Sequence, residues 1–421
     1  MRTNQDSRPG TLTKVSGVDG ARMLRVLDEL AEYGADARGG VTRLGYSEAD
    51  NAARGYLSRV AEGAGLVPVV DQAGNLIIRR PQATSGRRTL LIGSHLDSVT
   101  NGGRLDGAYG VVAAIEVLRT LSQHGITTRH EPVAVAFANE EGGLVAVPFI
   151  GSLAVVGRLE RPAEIADRRG RPLRDLLLSA GGDLDRIDDA AWPPGSIGGY
   201  LELHIEQGPV LERRGVPIGV VDAIVGRIIL DVAVYGAQNH AGTTPMSVRQ
   251  DALAAAARLV LAIEDIARGR RLCSVSTVGV LEVTPGAVNV VPGLVRMSAE
   301  IRDTEPERLA RAEAAIHATV DSTRLRTGLH IDVSVAMRER PVRTDPGLCA
   351  AITSAADELG LPHLVMSSGA GHDAQIIATA APIGMIFVPS AGGVSHAPHE
   401  HTDDTQLVAG ANVLLQAAMR S

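Results

Sequence analysis

The sequence predicts an α/β protein into which a smaller α+β domain is inserted, and three observations support this. The chain has 421 residues, more than a single hydrophobic core usually organises. Several short apolar runs end at polar, glycine-rich segments, which is typical of strands in an open α/β sheet. In between, the segment 216–337 changes to strands interleaved with two helices. The predicted domains are therefore 1–215 together with 338–421, and 216–337.

In the larger domain, segments of helical spacing alternate with buried strands. Apolar residues recur at helical intervals in Val18–Tyr33, Ser47–Ala64 and Gly110–Leu121. Apolar runs predict strands at Leu66–Val70, Leu76–Ile78, Thr89–Ile92, Val133–Phe137, Tyr200–His204 and Met385–Val388. The turn residues Asp71–Asn75 join the first two strands into a hairpin. Residues 158–198 are charged and rich in Pro and Gly around Trp192, so we expect a surface excursion there.

The inserted segment is predicted to form a small α+β sandwich with one open-faced sheet. Strands are expected at Gly219–Tyr235, Ser274–Val280, Leu294–Arg302 and Ile331–Val335, and helices at Asp251–Ala267 and Pro306–Arg326. The segment Arg340–Pro346 marks the return to the first domain.

Composition favours a protein that acts on small molecules. The net charge of −7 is spread along the chain, so no basic stripe indicates nucleic acid and no cationic amphipathic face indicates a membrane. The two cysteines, Cys273 and Cys349, are far apart, which fits a reducing compartment. Residues 1–10 contain no apolar signal segment. We expect a cytoplasmic protein with a loose N-terminal tail.

Two strand ends in the larger domain carry metal-binding residue types. His95 and Asp97 follow one apolar run and Asp106 lies in the glycine-rich turn after it, while Glu140 and Glu141 follow the next run. Mixed nitrogen and oxygen donors suit borderline divalent ions. Each pattern alone has a commoner explanation. A lone His-x-Asp pattern usually consists of ordinary polar surface residues, and a Glu pair usually lies in a solvent-exposed turn.

Two further strand ends each add a histidine. His204 ends the strand that begins at Tyr200, and His396 lies in the loop after Val388. Taken singly, either histidine is more often a core or loop residue. Four such strand ends in one chain favour a shared metal site.

These segments, in this order, resemble the hydantoinase/carbamoylase branch of the M20 metallopeptidase family. That branch includes N-carbamoyl-L-amino-acid hydrolases, allantoate amidohydrolases and β-ureidopropionases. The motifs at Leu203–Pro209 and Asn239–Met246 are the most distinctive for it. The resemblance implies a discontinuous catalytic domain with a mixed central sheet flanked by helices. It also implies an inserted lid and dimerisation domain with a four-stranded antiparallel sheet and two helices.

The resemblance further implies two divalent ions per subunit, which are zinc, manganese, cobalt or nickel. One ion is expected on His95 and His204, the other on Glu141 and His396, with Asp106 bridging both. Such a pair makes hydroxide available near neutral pH, which hydrolysis of an unactivated amide requires.

Around these ligands, three residues are expected to assist catalysis. Asp97 is expected to fix the tautomer of His95, and Glu140 to act as general base. In the inserted domain, the resemblance makes His240 an oxyanion donor, supplied across a homodimer.

The substrate is expected to be a small ureido or amide acid. By resemblance, Asn289 and Arg302 hold its α-carboxylate, a role that suits the bidentate fork of Arg. A mid-strand Arg is otherwise most often a salt-bridged surface residue. Gln207 and the loop Gly369–Asp373, which contains Gly371, are expected to complete the pocket.

The favoured activity is cleavage of the C–N bond of an N-carbamoyl-L-amino acid or a related ureido acid. Allantoate amidohydrolase is the nearest alternative, followed by hydrolysis of an N-acyl amino acid or dipeptide. A metal-retaining binding protein without catalysis is a more distant alternative, against which Glu140 argues. The branch usually shows Ser-Arg-Phe after the Glu pair, where this chain has Gly143, Leu144 and Val145. This difference bears on the substrate rather than on the ligands.

Overall fold

The computed structural model describes residues 17–81 and 86–421, so the predicted loose tail lies outside the described residues. The strands are β1 (Val67–Val70), β2 (Leu76–Arg79), β3 (Thr89–His95), β4 (Glu131–Phe137), β5 (Ile197–Ile205), β6 (Ile218–Ile224), β7 (Gly226–Tyr235), β8 (Asn239–His240), β9 (Val275–Thr277), β10 (Leu281–Thr284), β11 (Val290–Val291), β12 (Leu294–Asp303), β13 (His330–Glu339), β14 (Val342–Arg343), β15 (His363–Ser368) and β16 (Ile383–Val388). The helices are α1 (Gly20–Ala31), α2 (Glu48–Gly63), α3 (Ala108–Gln123), α4 (Ile150–Val155), α5 (Leu173–Ser179), α6 (Val210–Arg214), α7 (Ala252–Arg268), α8 (Pro306–Thr327), α9 (Pro346–Glu358), α10 (Asp373–Ile377) and α11 (Asp404–Arg420).

The chain forms two compact units. The first contains the described residues up to Asp222, together with Thr344–Val365 and His372–Ser421. The second contains Ala223–Arg343 and Met366–Gly371. Among the described residues, no helix has the length and apolar character needed to cross a membrane.

A mixed sheet forms the centre of the first unit. Its order is β1-β2-β4-β3-β5-β16-β6-β14, and β15 also pairs with β6. The four strands β4, β3, β5 and β16 run parallel to one another. On either side of them, β2 of the hairpin β1–β2 pairs antiparallel with β4, and β6 pairs antiparallel with β16. The predicted mixed central sheet is therefore confirmed, as is the hairpin.

Helices flank this sheet and complete its core. α3 is buried along most of its length, because it packs against β3, β4 and β5 and is covered in turn by α1 and α11. α9 packs against α11 and β16. The predicted helices at the start of the chain correspond to α1 and α2, whose caps are the side chains of Asp19 and Ser47.

The expectation of a surface excursion at residues 158–198 is wrong in part. The charged segment does contain exposed residues, but α5 lies within it and buries Leu173, Leu176 and Leu177. These leucines pack with Tyr46 and Val145 in a small separate core. Local composition did not predict this buried helix, because its three leucines lie in a segment that is otherwise rich in charged residues.

The second unit is an antiparallel sheet with two helices on it. Its order is β10-β12-β7-β13, and β9 also pairs with β12. Alternate residues of β7 and β12 are buried, and they form one core with α7 and α8. The sheet has five strands where four were predicted, because the edge beside β12 is shared by the short strands β9 and β10.

The single strand predicted at Gly219–Tyr235 is two strands in different sheets. β6 belongs to the large sheet and β7 to the second unit, and they are separated at Val225. A side chain at Gly226 would meet Pro341 Cδ at 2.5 Å and the carbonyl oxygen of Glu339 at 2.7 Å, so two chain segments cross closely here.

A buried ion pair supports the end of β4. Arg54 and Asp50 lie 3.1 Å apart with side chains 3% and 0% exposed. Arg54 also donates to the carbonyl oxygens of Ala136 and Phe137, at 2.9 Å each. These bonds fix the strand end just before Glu140.

We expect Arg54→Ala to lower the free energy of unfolding by about 3–5 kcal/mol, because it leaves the Asp50 carboxylate buried without its cation. Urea denaturation of the metal-free protein would measure this. Arg186→Ala is the matched control, since Arg186 pairs with Asp189 at the surface and its loss should cost within about 0.5 kcal/mol. Equal effects of the two variants would contradict a supporting role for Arg54.

Candidate metal centre

The candidate metal centre lies where four adjacent parallel strands end. Because β4, β3, β5 and β16 are parallel neighbours, their carboxyl ends share one edge of the sheet. His95 is the last residue of β3 and His204 the penultimate residue of β5. Glu140 and Glu141 follow β4, and His396 follows β16. The fold thus brings all five predicted strand-end residues to one edge.

His95 and His204 both direct Nε2 at one oxygen of Asp106. The distances to Asp106 Oδ1 are 3.3 Å from His95 and 3.2 Å from His204. Their Nδ1 atoms lie 2.9 and 2.8 Å from backbone carbonyl oxygens, so each Nδ1 carries the proton. The N–H of Gly107 also donates to His204 Nε2, at 3.2 Å. Nitrogen lone pairs therefore face a carboxylate oxygen, an arrangement that a cation between them stabilises.

The other oxygen of Asp106 faces a second group of donors. His396 Nε2 lies 3.2 Å from Asp106 Oδ2 and 3.2 Å from Glu141 Oε1. Potential ligand atoms within 4.8 Å of one another thus form two groups that share Asp106, one with His95 and His204, the other with Glu141 and His396. A carboxylate placed in this way can bridge two ions.

Two buried oxygens show that these residues fit a metal. Asp106 Oδ1 and Glu141 Oε1 accept no hydrogen bond from the described residues. A buried carboxylate oxygen without a donor costs free energy, which a cation offsets. The imidazole and carboxylate donors are those that zinc and similar divalent ions take.

The electrostatics of the cluster favour positive charge. The hydrogen bonds that protonated His396 donates to Asp106 and Glu141 raise the pKa of His396 to about 10. Burial opposes charge on Asp106, but His204 and His396 donate hydrogen bonds to it when their Nε2 atoms are protonated, and this outweighs burial and holds the pKa of Asp106 well below its usual range. The cluster therefore stabilises a cation, whether proton or metal.

Asp97 makes a different contact from the one predicted. Its carboxylate accepts the backbone N–H groups of Glu140 at 3.0 Å and Glu141 at 3.1 Å, and it lies 4.0 Å from His95 Nδ1. The backbone carbonyl of Asp97 is what accepts from that nitrogen, at 2.9 Å. Asp97 thus orients His95 through its main chain and the glutamate pair through its side chain.

Glu140 points towards the same cluster. Its Oε2 lies 3.9 Å from His95 Nε2, and its side chain is buried. Burial is the largest cause that raises the pKa of Glu140 well above its usual range, and His95 partly opposes it. A buried carboxylate beside the ligands, with a raised proton affinity, is suited to accept a proton.

Unusual backbone conformations accompany these side chains. Asn139, Gln207 and His396 have φ angles of 53°, 58° and 57°, a left-handed region that non-glycine residues rarely adopt. The Asn139 amide donates to the carbonyl oxygens of Val145 and Val147, at 3.2 and 2.7 Å. Such strain persists where the surrounding structure holds it, which is typical of functional sites.

Gly107 permits the close approach of His95 to the turn after Asp106. Its φ is 64°, and a side chain there would meet the His95 ring at 2.4 Å. The glycine is therefore required both by its conformation and by the ring beside it.

Five further polar residues lie around the centre, and the sequence interpretation gave none of them an individual role. They are Glu202, His372, Asp373, Ser395 and Glu400, of which all but Ser395 are buried. His372 and Asp373 were predicted only as part of the loop that completes the pocket. The His372 ring packs edge-on against His204, with centroids 4.8 Å apart. Glu202 could have been found, because it lies two positions before His204 on a strand and so faces the same side. The other four have no signal in local periodicity.

In the second unit, hydrogen bonds define the tautomer of His240. The N–H groups of Gly242 and Thr243 donate to His240 Nδ1 at 3.0 and 3.1 Å, so the proton is on Nε2. The side chain is exposed. His240 lies opposite Val290 in the β8–β11 pair, and the N–H of Ala241 donates to the carbonyl of Asn289 at 2.9 Å. The structure therefore brings His240 and Asn289 to neighbouring segments.

Arg302 and Gly371 also lie near each other in this unit. Arg302 forms an ion pair with Glu300 at 2.6 Å and donates to the carbonyl of Gly369 at 2.8 Å, in the loop that contains Gly371. The guanidinium remains partly exposed. In the first unit, by contrast, the Gln207 amide donates to Asp106 Oδ2 at 2.8 Å, so this predicted substrate residue contacts a candidate ligand.

Comparison with known proteins gives the family of this α/β protein. The model of peptidase family M20/M25/M40 matches residues 91–420. The chain is 40% identical over 398 residues to an N-carbamoyl-L-amino acid amidohydrolase of Geobacillus stearothermophilus. The alignment covers 94% of this chain and 97% of that protein. An allantoate amidohydrolase of Escherichia coli is 37% identical over 393 residues, covering 91% and 94%. The chain therefore belongs to this family of metal-dependent hydrolases.

A solved structure shares this mixed α/β fold over most of the chain. An amidase of the hydantoinase/carbamoylase family from Burkholderia multivorans superposes with a TM-score of 0.86 at 36% identity, covering 96% of this chain and 98% of that one. The predicted resemblance to the hydantoinase/carbamoylase branch is thus confirmed.

We expect Asp106→Ala to lose most of its bound divalent metal. The substitution removes both carboxylate oxygens, one of which faces His95 and His204 and the other His396. Elemental analysis after exhaustive dialysis would measure it. Asp36→Ala is a matched control, since Asp36 pairs with Arg38 at the surface and should keep the metal. Full metal occupancy in the Asp106 variant would contradict the bridging assignment.

Proposed function

We propose that this chain is a dinuclear metal-dependent amidohydrolase that cleaves the C–N bond of an N-carbamoyl-L-amino acid or a related ureido acid. The observation that carries the proposal is the position of Asp106, which is only 4% exposed and presents one oxygen to each of two donor groups. The names of the relatives supply the substrate class.

His95 and His204 would hold one ion, Glu141 and His396 the other, and Asp106 both. Two divalent ions so held would lower the pKa of a water molecule, so that hydroxide is available near neutral pH. The ions themselves are zinc, manganese, cobalt or nickel in this proposal.

Glu140 acts as general base in the proposed mechanism. Its carboxylate accepts the proton of the attacking water and returns it to the nitrogen that leaves. Asp97 holds the Glu140–Glu141 turn, so that one glutamate binds metal while the other faces the water. Because the Glu140 side chain is buried, bulk water does not compete for this proton.

His240 and Arg302 act on the substrate in this proposal. The exposed Nε2–H of His240 is a fixed donor for the oxygen that gains negative charge as the tetrahedral intermediate forms. Arg302 and Asn289 hold the α-carboxylate, with Gly371 beside them. We further propose that the second unit serves as lid and dimerisation domain, and that His240 acts across a homodimer.

A panel of ureides assayed by ammonia release tests the function. Apo-enzyme would be supplied in turn with zinc, manganese, cobalt or nickel and offered N-carbamoyl-L-amino acids, allantoate, N-acyl amino acids and dipeptides. We expect turnover of a ureido acid, and only after metal is added. Hydrolysis confined to allantoate would favour the activity named for the Escherichia coli relative. Hydrolysis of dipeptides alone would refute the proposal.

We expect Glu140→Gln to retain metal and to lose turnover by roughly 100- to 10,000-fold, because an amide cannot accept the proton from water. Metal content and kcat are measured on the same preparation. Near-wild-type kcat would exclude Glu140 as the base, whereas loss of metal would show that it is a ligand.

Arg302→Ala should lower kcat/KM for carboxylate substrates by about 10- to 150-fold, the cost of a lost charged hydrogen bond. Arg302→Lys should recover part of the loss, because the ammonium keeps the charge without the planar fork. Arg296→Ala is the control, since Arg296 is an exposed residue of the same strand. A fall in melting temperature without a change in kcat/KM would show that Arg302 is structural.

A further inference from the structure

We propose that Glu400 is a positioning residue of the metal centre, which sets its affinity for divalent ions by holding the Asp106 turn and the His396 loop together. This inference rests on the proposed dinuclear site. Glu400 itself contacts neither the substrate nor the ions in this proposal. Its effect is exerted through the hydrogen bonds that it accepts.

Both carboxylate oxygens of Glu400 bind segments that carry candidate ligands. Oε1 accepts the backbone N–H groups of Leu105 at 2.9 Å and Asp106 at 3.1 Å. Oε2 accepts the hydroxyl of Ser395 at 2.8 Å. That hydroxyl also lies 2.8 Å from Asp106 Oδ2. One side chain thus fixes the main chain of Asp106 and holds Ser395 beside the Asp106 carboxylate.

The contact joins parts of the chain that are far apart in sequence. Glu400 and Leu105 are separated by 295 residues, and the loop from Ser395 to Glu400 also carries His396. The N–H of Glu400 donates to the carbonyl of Ala397 at 3.1 Å, so the loop closes on itself. When Glu400 is seated, His396 and Asp106 are therefore brought to a fixed separation.

Because Glu400 is buried, its carboxylate depends on these hydrogen bonds. Glu400 is 6% exposed, and a buried carboxylate is costly unless donors surround it. The donors that surround it come from the two ligand segments. The charge is therefore satisfied only when both segments are in place. Glu400 thus favours the loop conformations in which Asp106 and His396 are placed to hold a divalent ion.

Gly103 shows how closely the two segments approach. A side chain at Gly103 would meet Glu400 Oε1 at 2.0 Å and Glu400 Cβ at 2.5 Å. Glycine is therefore required here by the packing of Glu400. Gly103→Ala therefore displaces Glu400 without replacing any of the candidate ligands.

The expected effect is on metal affinity rather than on folding alone. Groups that position metal ligands typically change affinity by about 10- to 100-fold when they are removed. We expect Glu400→Ala to raise the Kd for zinc by that amount. Glu400→Gln should stay closest to wild type, because its carbonyl oxygen can still accept the two N–H groups. Ser395→Ala and Gly103→Ala should lie between the two.

The experiment is a chelator competition with zinc alone, at a temperature where circular dichroism shows each variant to be folded. The matched control is Glu116→Ala. Glu116 is also buried and accepts hydrogen bonds from the backbone N–H of Asp19 and from Arg22, but it lies in the middle of α3. This control should lower the melting temperature and leave the Kd for zinc unchanged.

Three results would overturn the proposal. Glu400→Ala, or Gly103→Ala if the former does not fold, could bind zinc as wild type does. Glu400→Gln could be as damaging as Glu400→Ala, which would show that the hydrogen bonds to the Leu105 and Asp106 N–H groups do not set the affinity. Glu116→Ala could raise the Kd for zinc to the same extent, which would show that the effect of Glu400→Ala is a loss of general stability. A wild-type protein that binds fewer than two ions would instead refute the dinuclear site, and this is distinguishable because it involves no variant.

Discussion

The structure of the site depends on one buried carboxylate, that of Asp106. It lies at the meeting point of three imidazoles, from His95, His204 and His396. Each imidazole comes from a different strand end, so the carboxylate can be satisfied only when β3, β5 and β16 stand in their native order. The parallel sheet is thus what makes this concentration of donors possible.

Holding so many ionisable groups together requires support from outside the cluster. Burial opposes charge on Asp97, Asp106 and Glu140, and like charges raise the proton affinity of neighbouring carboxylates. The molecule offsets this with backbone N–H groups and hydroxyls: Asp97 accepts two N–H groups, Glu202 accepts from Ser94, and Asp373 accepts from Ser152.

The second unit contributes different chemistry. It offers neutral or cationic donors on exposed segments, the Nε2–H of His240 and the guanidinium of Arg302, whereas the first unit concentrates carboxylates. A ureido acid has a carbonyl oxygen that becomes negative during attack and a carboxylate that is negative throughout. Donors of this kind match both ends of such a substrate, which is why the proposed function assigns them to its recognition.

Local sequence determined much of the fold and of the candidate site. Strand ends are readable because an apolar run stops at glycine and polar residues, so His95, Glu140, Glu141, His204 and His396 were all indicated by their positions alone. The hairpin and the main helices followed from periodicity and turn residues, whereas the mixed central sheet followed from the family resemblance. Family motifs then supplied the candidate roles of His240, Asn289 and Arg302.

Tertiary structure decided the rest. The carboxylate of Asp97 binds the glutamate turn instead of His95, Glu400 joins two loops, and the leucines of α5 are buried within a charged segment. The strand predicted from Gly219 to Tyr235 divides between two sheets, because its two halves pair with different distant strands. Each of these outcomes depends on contacts between residues far apart in the chain, and no local periodicity encodes which distant donor or apolar surface a side chain will meet.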